Sequence, residues 1–235
     1  VSSINSVSLI CQATGANIDE VSKAIGTDSR IGPYFLKPGP GFGGSCFKKD
    51  ILNLVYLSKY FGLPEVAKFW EGVVDLNNWH QKRISELIVK KLFGTISGKK
   101  IVILGFAFKA NTNDFRESSA IYIAKELLEN GANILIHDPQ VSYDQINESL
   151  NDCIKKVENE KRISFSNNLN EVFHNADAII ILTEWEIYKK LNWQKIVPTL
   201  RHPSWIFDTR SIINKSDIKD LGINIWRVGD GECFS

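Results

Sequence analysis

The sequence predicts an α/β protein, with an all-helical domain over residues 1–98 followed by a doubly wound parallel α/β domain over residues 99–235. In the first part, apolar residues recur at helical spacing, and one such pattern runs from Pro64 to about Phe93. In the second part, short apolar runs alternate with helical patterns, which is typical of strands buried on both faces of a parallel sheet. A segment rich in glycine and proline, residues 27–50, interrupts the helical part and predicts an ordered loop.

The helical part begins with two short predicted helices. Apolar residues keep helical spacing from Ile4 to Cys11, Gly15 ends this pattern, and Asp19 is placed as the cap of the second helix. A third helix is expected after Asp50. Because the first pattern starts without a capping residue and the sequence contains no methionine, we expect an amino-terminal truncation, with simple removal of an initiator as the alternative.

The pattern that starts at Pro64 predicts an unusually long helix. Proline suits the first turn of a helix, and the apolar residues that follow keep a spacing of roughly 3.5 residues. At 1.5 Å per residue this helix would span ~45 Å, which exceeds what a domain of this size needs for its own core. We therefore expect it to contact a second domain, a second subunit or both, with a scaffold helix inside one domain as the alternative.

The second part is predicted to alternate strands with helices. Strands are expected within residues 101–106, 133–139, 177–185 and 204–210, with 223–229 as a candidate fifth, and helices within 118–131 and 167–176. In such a doubly wound sheet, ligands bind beyond the carboxyl ends of the strands. Residues that follow the predicted strands are therefore the first candidates for a site.

The composition excludes some classes of partner. The 28 Lys and Arg residues nearly balance the 27 Asp and Glu residues, so no overall field would attract nucleic acid or an anionic lipid surface. No apolar run approaches the ~20 residues of a membrane span. We therefore expect a cytoplasmic protein without a nucleic-acid or membrane partner, in which a local site binds any anionic ligand.

The spacing of the cysteines argues against a structural metal or a disulfide framework. The sequence has four cysteines, Cys11, Cys46, Cys153 and Cys233. They stand far apart, with no CxxC pair and no Cys/His pair at the spacing of metal ligands. We expect reduced thiols and no bound metal.

The turn after the first predicted strand, "ILGFAFK", invites comparison with the glycine fingerprint of dinucleotide-binding proteins. Only Gly105 is present, and bulky residues stand where close backbone approach would be needed, so a standard dinucleotide grip is not expected here. Lys109 and Arg116 fall at the carboxyl end of this strand and could bind phosphate oxygens, or could be ordinary solvated charges. Asp138, which closes the second strand, could bind a ribose, but its Asp-Pro pair favours a turn.

The segment "GPGFGGSCFKKD", residues 39–50, carries the strongest candidate for covalent chemistry. Cys46 precedes a predicted helix, and the free N–H groups and positive dipole end of a helix amino terminus favour a thiolate. Gly43 and Gly44 leave room for a substrate against the sulfur. Asp50 lies one helical turn further along and could bind a water or a substrate hydroxyl. The alternative is an inert cysteine in a tight turn.

At these residues the chain resembles a known family. "GFGGSCFKKD" is similar to the active-cysteine motif of the nucleotide-sugar 6-dehydrogenases, the UDP-glucose/GDP-mannose dehydrogenase family, and its eukaryotic members that oxidise UDP-glucose are the most similar. The resemblance covers nearly the whole chain, through "SSINSVSLICQATGANIDEVSKAIGTDSRIG", "LNLVYL", "LPEVAKFW", "ILGFAFKANTNDFRESSAIYIAKEL" and "TEWEIYKKL".

The resemblance implies an activity and an architecture. Members oxidise UDP-glucose to UDP-glucuronate with two NAD, through a hemithioacetal and a thioester on the cysteine. They have an NAD-binding domain, a helical middle with a long dimer-forming helix, and a Rossmann-like UDP-binding domain, and this chain resembles only the last two. A homo-oligomer formed through the long helix, and negligible turnover by this chain alone, are therefore expected. Two alternatives stay open: a non-enzymatic module that binds nucleotide sugars or dimerises, and a dehydrogenase for GDP-mannose or a UDP-N-acetylhexosamine.

The same resemblance implies roles for individual residues. Cys46 is the nucleophile, and Asp50 is the acid that assists the water step. The residues that resemble substrate contacts are Arg30, which would reach the sugar of a neighbouring subunit, and Phe35, Lys37, Pro38, Gly39, Pro40, Gly41, Phe42, Gly43, Phe108, Lys109 and Arg210. The residues that resemble NAD contacts are Cys46, Phe47, Lys48, Lys49 and Arg116. The loop before Gly43 is richer in proline and glycine than the family pattern.

Overall fold

A computed structural model describes residues 1–154 and 160–231. Residues 1–98 contain four helices: α1 (Ser2–Thr14), α2 (Ile18–Gly26), α3 (Phe47–Tyr60) and α4 (Pro64–Lys91). Cys233 and the side chain of Cys153 lie outside the described residues. The expectation of reduced thiols can therefore be compared with the structure only at Cys11 and Cys46, which are both free.

The starts of these helices follow the local sequence, with two corrections. The cap of α2 is Asn17 and not Asp19, because the Asn17 side chain accepts a 2.7 Å hydrogen bond from the backbone N–H of Asp19. This is the usual capping geometry for an asparagine. Helix α3, which was expected after Asp50, starts earlier, at Phe47, with Cys46 as its N-cap residue. Pro64 occupies the first turn of α4, as predicted.

The second part forms one sheet of six parallel strands within the described residues. The strands are β1 (Lys100–Leu104), β2 (Asn133–His137), β3 (Ile163–Phe165), β4 (Ala178–Ile181), β5 (Trp205–Asp208) and β6 (Asn224–Arg227), and the helices are α5 (Ser119–Glu129), α6 (Tyr143–Ile154), α7 (Glu186–Lys189) and α8 (Trp193–Ile196). The strand order is β3-β2-β1-β4-β5-β6, so β2 and β3 lie on one side of β1 and the later strands lie on its other side. This is the doubly wound order, so the predicted fold class is confirmed.

The sequence prediction of this part missed or misplaced five elements, and the short helices α7 and α8 are two of those missed. Helix α6 and strand β3 were not predicted; β3 is a three-residue edge strand with a polar residue at its centre. The helix predicted over 167–176 is wrong, since this segment is a series of turns. The side chains of Ser166 and Asn168 accept hydrogen bonds from the backbone N–H groups of Asn168 and Asn170, and such local bonds compete with a helix.

The long helix α4 contacts the α/β part directly. Ile84, Ile88 and, just after the helix, Leu92 are essentially unexposed and belong to the same apolar core as the central strands. Helix α4 therefore belongs to the first predicted domain, residues 1–98, but its last turns pack on the second predicted domain. Although α4 has 28 residues, no described helix is both long and apolar enough to cross a membrane.

The connection between α1 and α2 is joined to the chain beyond β6. Ile18 donates a backbone hydrogen bond to Gly229, and Gly231 donates one to Ala16. Arg227 of β6 also forms an ion pair with Asp19, at 3.0 Å. These contacts hold the helical part against the carboxyl edge of the sheet, where the loop before α3 lies.

Candidate active site

A cavity of about 550 Å³ lies between the glycine-rich loop and the carboxyl ends of β1, β4 and β5. Ten of the residues that resemble substrate or cofactor contacts line it: Phe35, Lys37, Gly39, Gly41, Phe42, Gly43, Phe47, Phe108, Lys109 and Arg210. The fold thus brings together segments from both parts of the chain. A larger cavity of about 660 Å³, between α1, α4 and β6, is lined by none of these ten residues.

Buried polar side chains hold the glycine-rich loop in place. The backbone N–H of Gly39 donates to Asn5 Oδ1 at 2.9 Å, and His80 Nε2 donates to the Gly39 carbonyl at 2.9 Å. Burial lowers the pKa of His80, which keeps the ring neutral and suited to donate one such bond. Asn77 binds both backbone polar groups of Phe42, through its Oδ1 at 2.8 Å and its Nδ2 at 3.3 Å.

The second half of the loop packs tightly on the α/β part. The N–H of Gly44 donates to the carbonyl of Arg116 at 2.8 Å. A Cβ on Gly43 would lie 2.4 Å from the carbonyl oxygen of Glu117, and a Cβ on Gly44 would lie 3.2 Å from the Phe108 ring. Glycine is therefore required at position 43 by close approach of two backbones.

The turn after β1 is sealed, as the missing glycines predicted. Asp138 is buried, and its Oδ2 accepts hydrogen bonds from the N–H groups of Phe106 and Ala107, at 2.7 and 3.0 Å, and from Trp185 Nε1 at 3.1 Å. Its Oδ1 accepts from the N–H groups of the following turn, at Gln140 and Val141. The carboxylate therefore shapes two turns and is not available to a ribose.

Arg210 reaches the cavity from the end of β5. Its Nε donates to the carbonyl of Leu182 at 2.7 Å, and its Nη2 donates to the carbonyl of Phe108 at 3.0 Å. Glu184 lies 3.2 Å from the same Nε. A Cβ on Gly39 would be 3.3 Å from Nη1, so the guanidinium also lies against the glycine-rich loop. Burial lowers the pKa of Arg210, but an arginine remains charged at neutral pH.

Cys46 directly precedes Phe47, which lines this cavity, but is not itself one of the lining residues. Its side chain is exposed, it caps α3 without a side-chain capping bond, and its Sγ is 3.5 Å from the Ser45 hydroxyl. Phe47, the next residue, lines the cavity. Asp50 is also exposed, in the first turn of α3, and its N–H donates to the Cys46 carbonyl at 2.8 Å. Cys46 is therefore an exposed cysteine at the amino end of a helix.

Apart from Phe47, the residues that resemble NAD contacts are not among those that line the cavity. Lys48 Nζ donates to Glu117 at 2.7 Å and to the Tyr122 hydroxyl at 3.2 Å. Burial alone would lower the pKa of Lys48, but these hydrogen bonds outweigh it and raise the pKa. Arg116 is exposed and pairs with Asp114 at 2.9 Å, while Lys49 is exposed.

The remaining predicted contacts differ in placement. Arg30 is exposed and pairs with Asp28. A contact with another molecule would therefore use the part of its guanidinium that faces away from Asp28. Pro38 lines a neighbouring cavity of about 570 Å³, together with Lys37 and Arg210. Pro40, a residue of the glycine-rich loop itself, is buried. Within the described residues, no group of three or more histidine, cysteine or acidic side chains could hold a metal ion.

Sequence analysis missed five residues of this site. Asn5, Asn77, His80 and Gln81 lie behind the glycine-rich loop, and Glu184 lines the cavity beside Arg210. A signal was present for three of them, since residues 77, 80 and 81 place polar side chains on the stripe of α4 that continues at Ile84 and Ile88. Polar residues on a buried stripe must find partners, which here are the loop's backbone groups and Ser119.

Two family models match the chain. The central domain of the UDP-glucose/GDP-mannose dehydrogenase family matches residues 1–79, and the UDP binding domain of the same family matches residues 102–215. Together they cover more than half of the sequence.

Known proteins and solved structures agree with this match. UDP-glucose 6-dehydrogenases of Caenorhabditis elegans and Gallus gallus are 43% and 44% identical over 97% of this chain, and the aligned regions make up 48% and 47% of those proteins. A UDP-glucose dehydrogenase structure from Pyrobaculum islandicum superposes with a TM-score of 0.79 at 27% identity, covering 99% of this chain and 48% of that one. An NDP-N-acetyl-D-galactosaminuronic acid dehydrogenase from Methanosarcina mazei gives 0.77 at 25% identity, with 98% and 48% covered. The chain spans about half the length of the curated relatives it matches.

Proposed function

Because the chain belongs to the UDP-glucose/GDP-mannose dehydrogenase family, we propose that its residues form the sugar-nucleotide-binding and nucleophile-bearing part of an NAD-dependent UDP-glucose 6-dehydrogenase. The reaction is the two-step oxidation of UDP-glucose to UDP-glucuronate. UDP-glucose is preferred over other nucleotide sugars because the curated relatives at 42–44% identity carry that name.

The cavity provides the binding part of this proposal. Lys37, Lys109 and Arg210 bring three cationic groups to the lining of the cavity, which suits a diphosphate. Glu184 is the carboxylate among the lining residues and accepts hydrogen bonds, which suits hydroxyl groups of a ribose or hexose. Phe35, Phe42 and Phe108 supply apolar surface for a base or a sugar face. The hexose is placed at the end of the cavity nearest Phe47 and Cys46.

Cys46 provides the chemical part. The thiolate sulfur adds to the aldehyde carbon of the half-oxidised sugar and forms a hemithioacetal, whose oxidation gives a thioester on the same sulfur. Water then attacks the thioester carbonyl, the carbon–sulfur bond breaks, and the sulfur leaves as a thiolate. Asp50, one turn along α3, is placed to orient that water or accept its proton.

The residues around Cys46 fit a dinucleotide on the outer side of the cavity. Lys49 and Arg116 are exposed cations beside Cys46 and Phe47, and Lys48 remains charged in its contact with Glu117. NAD, when bound, supplies the hydride acceptor for each oxidation. The turn after β1 does not fit such a ligand, because Asp138 occupies its N–H groups.

We further propose that α4 forms a homo-oligomer contact. Val66, Phe69 and Trp79 on this helix leave 43%, 65% and 51% of their surface exposed. Large apolar side chains grouped on one helix favour contact with another protein surface. Sedimentation velocity is expected to show at least a dimer, and a monomer at high protein concentration would contradict this role of α4.

One observation carries the proposed function: an exposed cysteine caps a helix whose first residue, Phe47, lines a cavity that also contains three cationic side chains. Titration calorimetry tests it, with UDP-glucose expected to bind more tightly than GDP-mannose or UDP-N-acetylglucosamine. If one of the other two binds better, the substrate is reassigned. If none binds, the enzymatic assignment is contradicted.

A non-enzymatic module that binds nucleotide sugars is the alternative from another class. It would bind UDP-glucose without using the thiol. The rate of iodoacetamide modification at each cysteine, followed by peptide mass spectrometry, separates the two. A Cys46 rate well above those of the other three thiols supports the enzyme, whereas equal rates support the module.

A further inference from the structure

The glycine-rich loop owes its conformation to side chains of the helical part. Residues 39–43 form no regular secondary structure, so their backbone groups have no ladder partners. Asn5, His80 and Asn77 bind these groups, and all three side chains are at most 5% exposed. Buried backbone groups must be paired, and here side chains replace the missing secondary structure.

Asn77 makes the two-point contact within this set. Its Oδ1 accepts from the N–H of Phe42 and its Nδ2 donates to the carbonyl of the same residue. A Cβ on Gly41 would lie 2.9 Å from that Oδ1, so the loop is pressed onto the amide. An amide side chain that binds both polar groups of one residue acts as a neighbouring strand would, and it fixes the position of Phe42.

Phe42 connects Asn77 to the segment that carries the nucleophile. Its ring is 7% exposed and packs edge-on against the Phe47 ring, with centroids 4.8 Å apart and planes at 84°. Phe42, Ile51 and Val74 form one small apolar cluster between α3 and α4. Since Phe47 is the first residue of α3 and follows Cys46 directly, a fixed Phe42 ring also fixes the amino end of that helix.

We propose that Asn77 is a positioning residue for Cys46, which sets the sulfur relative to the ligand cavity through Phe42 and Phe47. The inference rests on the proposed function, because it concerns the alignment of the thiol with the bound sugar. A near-attack geometry depends on small distances, so a loop released from Asn77 would still bind the nucleotide but would no longer hold the sugar against the sulfur.

The test measures how strongly UDP-glucose protects Cys46 from iodoacetamide. In the unsubstituted protein, saturating UDP-glucose is expected to slow modification at least about tenfold. Asn77→Ala is expected to bring this ratio close to one, since the loss of two hydrogen bonds to Phe42 is sufficient for a change of about tenfold. Binding of UDP alone, measured by calorimetry, is expected to change less than about twofold in N77A, because its cationic contacts remain. Ser85→Ala, a buried polar position two turns further along α4, is the matched control and is expected to keep full protection.

The outcomes separate the inference from the proposed function. If UDP-glucose fails to protect Cys46 in the unsubstituted protein, the proposed function is contradicted. If protection is present there and equal in N77A, the positioning role is overturned and the proposed function stands. Where N77A does not fold, Asn77→Asp, which keeps the acceptor and removes the Nδ2 donor, is expected to lose protection in the same direction, and full protection would overturn the role. Amide exchange of Phe42 in the unsubstituted protein is expected to be as slow as that of α4, and fast exchange would also overturn it.

Discussion

Two glycine-containing turns of this protein look alike in sequence and differ in what faces them. The turn after β1 begins at Gly105, and its N–H groups at Phe106 and Ala107 are bound by the buried carboxylate of Asp138. The turn before α3 contains Gly43 and Gly44, and it opens onto a cavity and an exposed thiol. The second turn leads directly into α3, whereas the first is followed by irregular chain up to the start of α5 at Ser119, and only the second leaves room for a ligand.

The difference shows that a glycine-containing turn can become a site only when the protein leaves its approach open. At the first turn, the approach is filled by the molecule's own side chains, and the turn instead delivers Phe108 and Lys109 to the cavity. At the second turn, the supporting groups lie behind the loop, on α1 and α4, so the front stays open.

The largest effect is expected from adding a side chain at Gly105, in the turn after β1, where no space is left for one. A Cβ on Gly105 would lie 2.4 Å from Thr183 Cβ, and the φ of Gly105 is +92°. Gly105→Ala should lower the free energy of unfolding by roughly 4 kcal/mol or more, because it adds a core clash to backbone strain. Gly98→Ala, with φ +74° and open space around it, isolates the strain alone and should cost about 1–2 kcal/mol. Urea unfolding measures both, and equal losses would show that the turn is not sealed.

Removal of the buried acid should have the next largest effect. Asp138→Ala leaves four backbone N–H groups and the Trp185 indole without their acceptor, and we expect a loss of about 3 kcal/mol in the free energy of unfolding. Asp75→Ala, at an exposed acid of α4, should cost less than about 0.5 kcal/mol. Thermal unfolding compares the two variants, and similar midpoints would mean that Asp138 does not support the turn.

A smaller effect, on binding rather than stability, is expected at the open side. Arg210→Ala should weaken UDP-glucose binding about 10- to 100-fold, the range for a lost charged hydrogen bond. Arg201→Ala is the matched control, because Arg201 pairs with Asp177 just before β4, at the opposite edge of the sheet. Calorimetry on both variants would contradict the site if the two affinities fell equally.

The smallest effect concerns the ion pair that ties α3 to the segment before α5. Burial would raise the pKa of Glu117, but the hydrogen bonds from Lys48 and Tyr122 outweigh it and lower the pKa. A carboxylate with a lowered folded-state pKa stabilises the fold above its unfolded pKa, and this contribution is lost as the pH falls through the folded value. The Glu117 side chain is 41% exposed, so the unsubstituted protein should exceed Glu117→Gln by less than about 1 kcal/mol at pH 7.

The pH dependence provides the check on that pair. The difference in melting temperature between the unsubstituted protein and E117Q should shrink as the pH falls below about 4.3, the ordinary value for a glutamate. The raised pKa of Lys48 adds nothing in this range, because its contribution is lost only at alkaline pH. A gap that stays constant from neutral to acid pH would show that the charge of Glu117 does not contribute.

The elements that could be predicted from the sequence are those that a local residue pattern determines. Continuous apolar runs predicted β1, β2, β4 and β5, and Pro64 predicted the start of α4, because both signals lie within one element. The edge strand β3 was missed because three residues give too little pattern. The turns over 167–176 were read as a helix, since side-chain hydrogen bonds there outweigh the apolar spacing.

The candidate site divides in the same way. Cys46 and its helix could be found from sequence, because the glycines, the cysteine and the helix are contiguous. The support from Asn5, Asn77 and His80 could not, since each acts on a loop more than 30 residues away along the chain. Asp138 was recognised as a turn residue, but its bonds to the turn after β1 depend on the pairing of β1 with β2.

A crystal structure with UDP-glucuronate bound tests the central claim most directly, since that claim is the juxtaposition of the Cys46 sulfur with the ligand cavity. The account predicts the diphosphate against Lys109 and Arg210, and carbon 6 of the sugar at about 3.5 Å from Sγ, the distance of a near-attack geometry. A ligand bound with its sugar on the far side of the glycine-rich loop, out of contact with the sulfur, would contradict it.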